Sequence, residues 1–177
     1  VQDGDWMYGM AYELGFYSYG AMYKIRTDGT DFTLVYNYSS GSGYNPRGEI
    51  ALDGGVIYGA MRSGGTRSRG TVYKINTDGT GYTTLWNFEV SPDGAFPTGG
   101  VIKDGSILYG TTYQGGTSNM GTIYRINIDG SGYTKLHDFT GIPDGSEPWG
   151  SLILSGNTLY GTTRMAGNFG YGTIYKI

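Results

Sequence analysis

Leu108-Tyr109-Gly110-Thr111-Thr112, then Gly115-Gly116, then Gly121-Thr122-Ile123-Tyr124-Arg125-Ile126, is the stretch that decides the fold, because the chain carries versions of it four times. The Tyr-Gly pairs stand at Tyr8-Gly9, Tyr58-Gly59, Tyr109-Gly110 and Tyr160-Gly161, in steps of 50, 51 and 51 residues. The triplets Tyr23-Lys24-Ile25, Tyr73-Lys74-Ile75, Tyr124-Arg125-Ile126 and Tyr175-Lys176-Ile177 follow in the same steps. A period of about 50 residues is one four-stranded β-unit, and stacked units bury their cores between neighbours.

Working outward from Gly110 gives the unit. Val101-Ile102 ends in Lys103-Asp104-Gly105, a hairpin signal, and Ile107 to Thr112 is rich in β-branched and aromatic residues. Thr122 to Ile126 is a third strand, Asp129-Gly130 the next turn, and Tyr133 to Phe139 a fourth strand. Eight of the eleven aspartates stand directly before glycine. Asp-Gly supplies the positive φ angles of tight hairpins, so these are read as turns rather than as calcium ligands. The expected fold is all-β: a β-propeller-type array of four-stranded antiparallel units with a period of about 51 residues and about 3.5 repeats. The array is one domain over residues 1–177, with units of approximately 1–46, 47–97, 98–148 and 149–177, the last incomplete.

Composition excludes several function classes. Twelve Lys plus Arg against fifteen Asp plus Glu give a net charge of −3, without the clustered basic surface of a nucleic-acid binder. There is no cysteine, hence no disulfide or thiolate metal site, and no apolar run long enough for membrane insertion. A single histidine, His137, does not make a histidine metal cluster or a full nucleophile–base set. No catalytic residue, metal or cofactor is therefore expected. The remote alternative is a carbohydrate-active enzyme working with paired carboxylates, from Asp138, Asp144 and Glu147 or from Glu89 and Asp93.

The motif resembles the Gloeo/Verruco (GloVer) tandem repeat of secreted bacterial proteins with variable surface anchors. Leu159 to Thr163 with Gly172 to Ile177 repeats it, as does Gly64 to Gly79; the first unit departs, with Met10-Ala11 for Thr-Thr and Leu14-Gly15 for Gly-Gly. The resemblance implies a propeller-like β-repeat protein located outside the cell or at its surface, and it carries over no catalytic residues.

Function is sought in the parts that vary. The ten residues between the motif glycines keep their length and change their content, as binding loops on a rigid scaffold do. The candidate ligand-binding residues are Tyr12 and Tyr17 in the first loop, Arg62 and Arg67 in the second, Tyr113 and Asn119 in the third, and Arg164 and Asn168 in the fourth. A second variable position follows the loop prolines: Arg47 after Pro46, Thr98 after Pro97 and Trp149 after Pro148; Trp149 joins the candidates. Aromatic faces beside amide and guanidinium donors suit a glycan ligand. The expected function is an adhesive or glycan-binding module of the cell surface or extracellular matrix. The alternative is a structural protein: the chain begins and stops inside repeat units, so self-association through terminal strands is expected to give a fibre or a closed ring. Trp6 and Trp86, within strand patterns, are expected to be buried.

Overall fold

The computed structural model describes residues 1–89 and 91–177 and is all-β, with four antiparallel sheets in chain order. Sheet one holds β1 (Gln2–Asp3), β2 (Trp6–Ala11), β3 (Ala21–Arg26) and β4 (Thr33–Asn37). Sheet two holds β5 (Tyr44–Pro46) and β6 (Ala51–Asp53), both paired to β7 (Val56–Ser63), then β8 (Thr71–Asn76) and β9 (Thr83–Asn87). In sheet three the first strand is continuous: β10 (Ala95–Asp104), β11 (Ile107–Gln114), β12 (Thr122–Asn127) and β13 (Thr134–Asp138). Sheet four has β14 (Ser146–Pro148) and β15 (Ile153–Ser155) on one edge of β16 (Thr158–Met165) and β17 (Ile174–Lys176) on the other.

The Asp-Gly pairs do make turns. Asp53 faces Val56 across Gly54-Gly55, whose φ values of 55° and 81° are those of a two-residue hairpin loop. Between the third and fourth strands, the Asp28, Asp78 and Asp129 carboxylates each accept the backbone N–H of the residue two further on, at 2.9, 2.9 and 2.8 Å.

The motif itself is explained by two contacts of its glycines. Gly9, Gly59, Gly110 and Gly161 sit directly across from Tyr23, Tyr73, Tyr124 and Tyr175. A β-carbon on Gly110 would lie 2.6 Å from Tyr124 Cζ, and one on Gly9 would lie 2.6 Å from Tyr23 Cζ. The tyrosine ring lies over the bare glycine backbone, so the two residues are matched as a pair. The second contact joins units. Gly20, Gly70 and Gly121, at φ near 97°, each have the proline of the following sheet (Pro46, Pro97 or Pro148) where a β-carbon would be, 2.5 Å from its Cδ.

The core lies between sheets. Tyr8 and Met22 of the first meet Ile57, Tyr73 and Ile75 of the second; Tyr58 and Val72 of the second meet Leu108, Tyr124 and Ile126 of the third; Ile123 and Phe139 meet Leu152 and Leu159 of the fourth. Burying each such side chain stabilises by roughly 1.5–3 kcal/mol. In sheets two to four the first strand is innermost. Glu49 and Gly100 form a parallel bridge, and Gly99 packs against the carbonyl of Gly150, so successive first strands converge on one axis. Trp6 and Trp86 are half-buried rather than buried. Lys24 and Arg26 lie over the Trp6 ring, and Tyr133 stacks on Trp86 at 4.2 Å, so cation and ring partners take the place of a sealed core.

Candidate functional site

The convergence of first strands puts three Pro-x-Gly corners side by side: Pro46-Arg47-Gly48, Pro97-Thr98-Gly99 and Pro148-Trp149-Gly150. The residues before the prolines, Asn45, Phe96 and Glu147, take φ near +57°, a left-handed conformation that bulky residues avoid. Each is held there by its N–H, which donates to the preceding sheet's loop at Tyr19, Arg69 or Met120, at 3.0, 2.8 and 2.9 Å. A β-carbon on Gly48 or Gly99 would run into the next corner's backbone, so the corners touch through glycine. Thr98 is buried between its neighbours and donates to the Pro148 carbonyl at 3.1 Å.

Side chains from all four units gather over these corners. The Arg47 guanidinium lies 4.9 Å from the Tyr12 ring and 5.3 Å from the Trp149 ring. Arg164 lies 5.4 Å from the same indole and pairs with Glu147 at 3.3 Å. Tyr113 meets Trp149 edge to face, with centroids 5.4 Å apart. Trp149 itself remains 39% exposed. Arg47 Nε is buried and has no protein hydrogen-bond partner among the described residues. Beside the cluster an open cleft of about 420 Å³ is lined by Tyr8, Met10, Tyr12, Arg47, Glu49 and Ile50. Val1 also lines it and exchanges backbone hydrogen bonds with Tyr8, at 2.8 and 3.0 Å.

Four of the sequence candidates, Tyr12, Tyr113, Trp149 and Arg164, thus come together. Arg62 stands at the matching place of unit two and lies over Phe96, at 5.3 Å, with Arg69 on the same ring at 5.1 Å. The others stand at the loop tips. Tyr17 is 87% exposed, Asn168 is exposed, and Arg67 pairs loosely with Glu89 at 3.6 Å. Asn119 takes φ of 55° and its Oδ1 accepts the Gly115 N–H at 3.0 Å, so it shapes its own loop. Loop length is fixed by a tie: Asn37, Asn87 and Asp138, ending the fourth strands, accept the N–H of Phe16, Thr66 and Thr117 at 3.4, 3.0 and 3.2 Å. The residue that sequence reasoning left out of the candidate set is Arg47. Its signal was its place after Pro46, matching that of Trp149 after Pro148.

Three of the candidate carboxylates are engaged. Asp138 pairs with Lys135 at 2.6 Å and accepts from Thr117; Asp144 pairs with His137 at 3.0 Å; Glu147 pairs with Arg164. Asp93 is raised above the usual carboxylate range, first by desolvation and then by Glu89, and it sits in a turn.

A family model described as the Gloeobacter/Verrucomicrobia repeat matches residues 1–177. No curated protein matches the chain. Among solved structures, a chain of a nidogen/laminin complex is similar at 18% identity with a TM-score of 0.66, covering 90% of this chain and 53% of that one. A putative TolB from Agrobacterium tumefaciens gives 15% identity and a TM-score of 0.51, covering 90% and 50%; TolB from Acinetobacter baumannii gives 14% and 0.54, covering 89% and 34%. This chain therefore spans half or less of the TolB chains it matches and about half of the nidogen/laminin one. These likenesses show the propeller-type fold.

Proposed function

This chain belongs to the Gloeobacter/Verrucomicrobia repeat family, and from that premise we propose that it is a non-catalytic binding module whose ligand is a glycan held at the axial end. The observation that carries the reading is the meeting of Tyr12, Arg47, Tyr113, Trp149 and Arg164, contributed by all four units, beside a cleft of about 420 Å³. A cleft of that size accepts one or two sugar rings. Tyr12 and the exposed part of Trp149 offer flat apolar surface to sugar C–H faces. The Arg47 guanidinium, bare of any carboxylate partner among the described residues, is placed to receive an acidic substituent, a uronate or a sulfate. A single composite site accounts for the unlike residues at matching places of the four units. The engagement of Asp138 and Glu147 in ion pairs, and of Asp144 with the His137 ring, supports binding over hydrolysis, because a glycosidase needs two carboxylates facing an open gap. The proposed setting is outside the cell, at its surface or in the matrix, where such glycans are met.

The test is titration calorimetry of the chain with uronate-containing, sulfated and neutral oligosaccharides, repeated with Trp149→Ala and Arg47→Met. The expected result is binding of acidic oligosaccharides, weakened tenfold or more by either substitution, which corresponds to about 1.4 kcal/mol. Absence of binding at about 1 mM, or binding that both variants keep, overturns the reading.

A further inference from the structure

The variable loop of the second unit holds three arginines, Arg62, Arg67 and Arg69, and among the described residues only Arg67 meets a carboxylate, that of Glu89 at 3.6 Å. The Arg62 and Arg69 guanidiniums lie instead over one ring, that of Phe96, at 5.3 and 5.1 Å. Arg62 Nε is buried and has no hydrogen-bond partner among the described residues. Two cations thus share one apolar ring, and one of them has lost water at a nitrogen without gaining a partner. Such an arrangement costs free energy until a counter-charge arrives.

Backbone ties hold the two cations together in spite of their repulsion. Arg62 is set in β7 between Met61 and Ser63, which pair with Pro46 and Tyr44. The Phe96 N–H donates to the Arg69 carbonyl at 2.8 Å, which fixes the ring beside that arginine. Gly70, next in the chain, packs against Pro97, and the Thr66 N–H donates to Asn87 Oδ1 at 3.0 Å, so the loop is pinned on both sides. The site is nevertheless open. Arg62, Arg69 and Phe96 are each half-buried, and a cleft of about 370 Å³ beside Arg69 is lined by Arg67, Arg69, Glu89 and Ser91.

The next corner makes a useful contrast. Phe96 and Glu147 hold the same place, each before a corner proline, at φ of 57° and 58°. Glu147 pairs with Arg164 at 3.3 Å, so there the chain itself supplies the anion. At Phe96 two arginines reach the corner and the chain supplies only a ring.

We infer that Arg62, Arg69 and Phe96 form a second anion site, which takes a sulfate or phosphate group borne on a larger ligand. Two guanidinium forks call for a group with three oxygens, since one fork already occupies both oxygens of a carboxylate. The inference does not rest on the glycan reading of the axial cluster, because none of its three residues is among those that carry that reading.

Titration calorimetry of the chain with inorganic sulfate, inorganic phosphate and acetate tests it, repeated with Arg62→Met, Arg69→Met and Arg47→Met. Methionine keeps an apolar stem against the ring, and near-UV circular dichroism shows whether the native packing is retained. Sulfate or phosphate is expected to saturate the wild type with a Kd of about 1 mM, and acetate to bind at least about tenfold more weakly. The tighter of the two ions tells a sulfated from a phosphorylated bearer. Arg62→Met and Arg69→Met are each expected to weaken that binding about tenfold or more, and Arg47→Met to leave it unchanged. No saturation by either ion at about 20 mM overturns the inference. So does acetate binding as tightly as the other two. Loss of the ion in Arg47→Met alone overturns it as well, since the anion then sits at the axial cluster.

Discussion

Replacing Gly110 by alanine places a methyl group against the phenol of Tyr124, 2.6 Å from Cζ, and 3.0 Å from the Gly100 carbonyl oxygen. Tyr124 is 0% exposed and hemmed in by Phe88 and Tyr133, with centroids 5.2 and 5.7 Å away, so it has nowhere to move. Overpacking of this kind costs about 1–3 kcal/mol. Gly110 is not among the positive-φ glycines, so alanine also recovers about 0.4–1 kcal/mol by restricting the unfolded chain. The net expectation is a loss of about 1–2 kcal/mol, read as a lower urea midpoint with an unchanged slope. Gly59→Ala should behave alike, since Tyr73 is equally buried and hydrogen-bonded to Tyr38 at 2.9 Å. Gly9→Ala and Gly161→Ala should cost markedly less, because Tyr23 and Tyr175 are only half-buried and can swing outward. In a Tyr124→Leu background, Gly110→Ala should become neutral or stabilising. Equal costs at all four glycines, or an undiminished cost once the Tyr124 ring has been removed, would refute the account of the motif as a glycine–tyrosine pair.

Other outcomes follow from the same contacts. Gly121→Ala meets both a φ of 96° and the Pro148 ring at 2.5 Å, and should cost about 2–4 kcal/mol by thermal unfolding. Gly170→Ala has a φ of 83° but nothing within 4 Å, and should cost only the backbone term of about 1–2 kcal/mol. Burial holds the phenols of Tyr38, Tyr73, Tyr82, Tyr124 and Tyr133 above their ordinary range. Their folded-state values exceed the unfolded value near 10, so their stabilisation is complete below about pH 10 and is lost as pH rises beyond it. Absorbance at the phenolate band should rise in two stages on alkaline titration, exposed tyrosines first and the buried set together with unfolding. A single stage complete before unfolding would contradict the buried network.

Much of the architecture was legible because it rests on local rules. Asp28-Gly29, Asp78-Gly79 and Asp129-Gly130 turn the chain by hydrogen bonds spanning two residues, which a sequence displays directly. The recurrence of Tyr-Gly and Tyr-Lys-Ile likewise displayed about 3.5 repeats of one four-stranded unit. The sequence did not say what the glycines touch, since Gly9 meets Tyr23 across a sheet and Gly20 meets Pro46 of the next sheet. Nor did it tell Tyr12, Tyr113 and Arg164 from Tyr17, Arg67, Asn119 and Asn168, which share the same variable segments. The first group stands at or just past the ends of β2, β11 and β16 and gathers around Trp149 and Arg47; the second stands on loop tips turned to solvent or to their own backbone.

By itself, then, the sequence determined the repeating unit, its four-stranded pattern and its family, because hairpin turns and strand alternation are short-range and each copy restates them. Tertiary structure alone decided which strand is innermost and that Arg47 sits between the rings of Tyr12 and Trp149. Those depend on contacts between residues one to three units apart, and such contacts are set by how sheets stack around an axis, a geometry that no single unit contains.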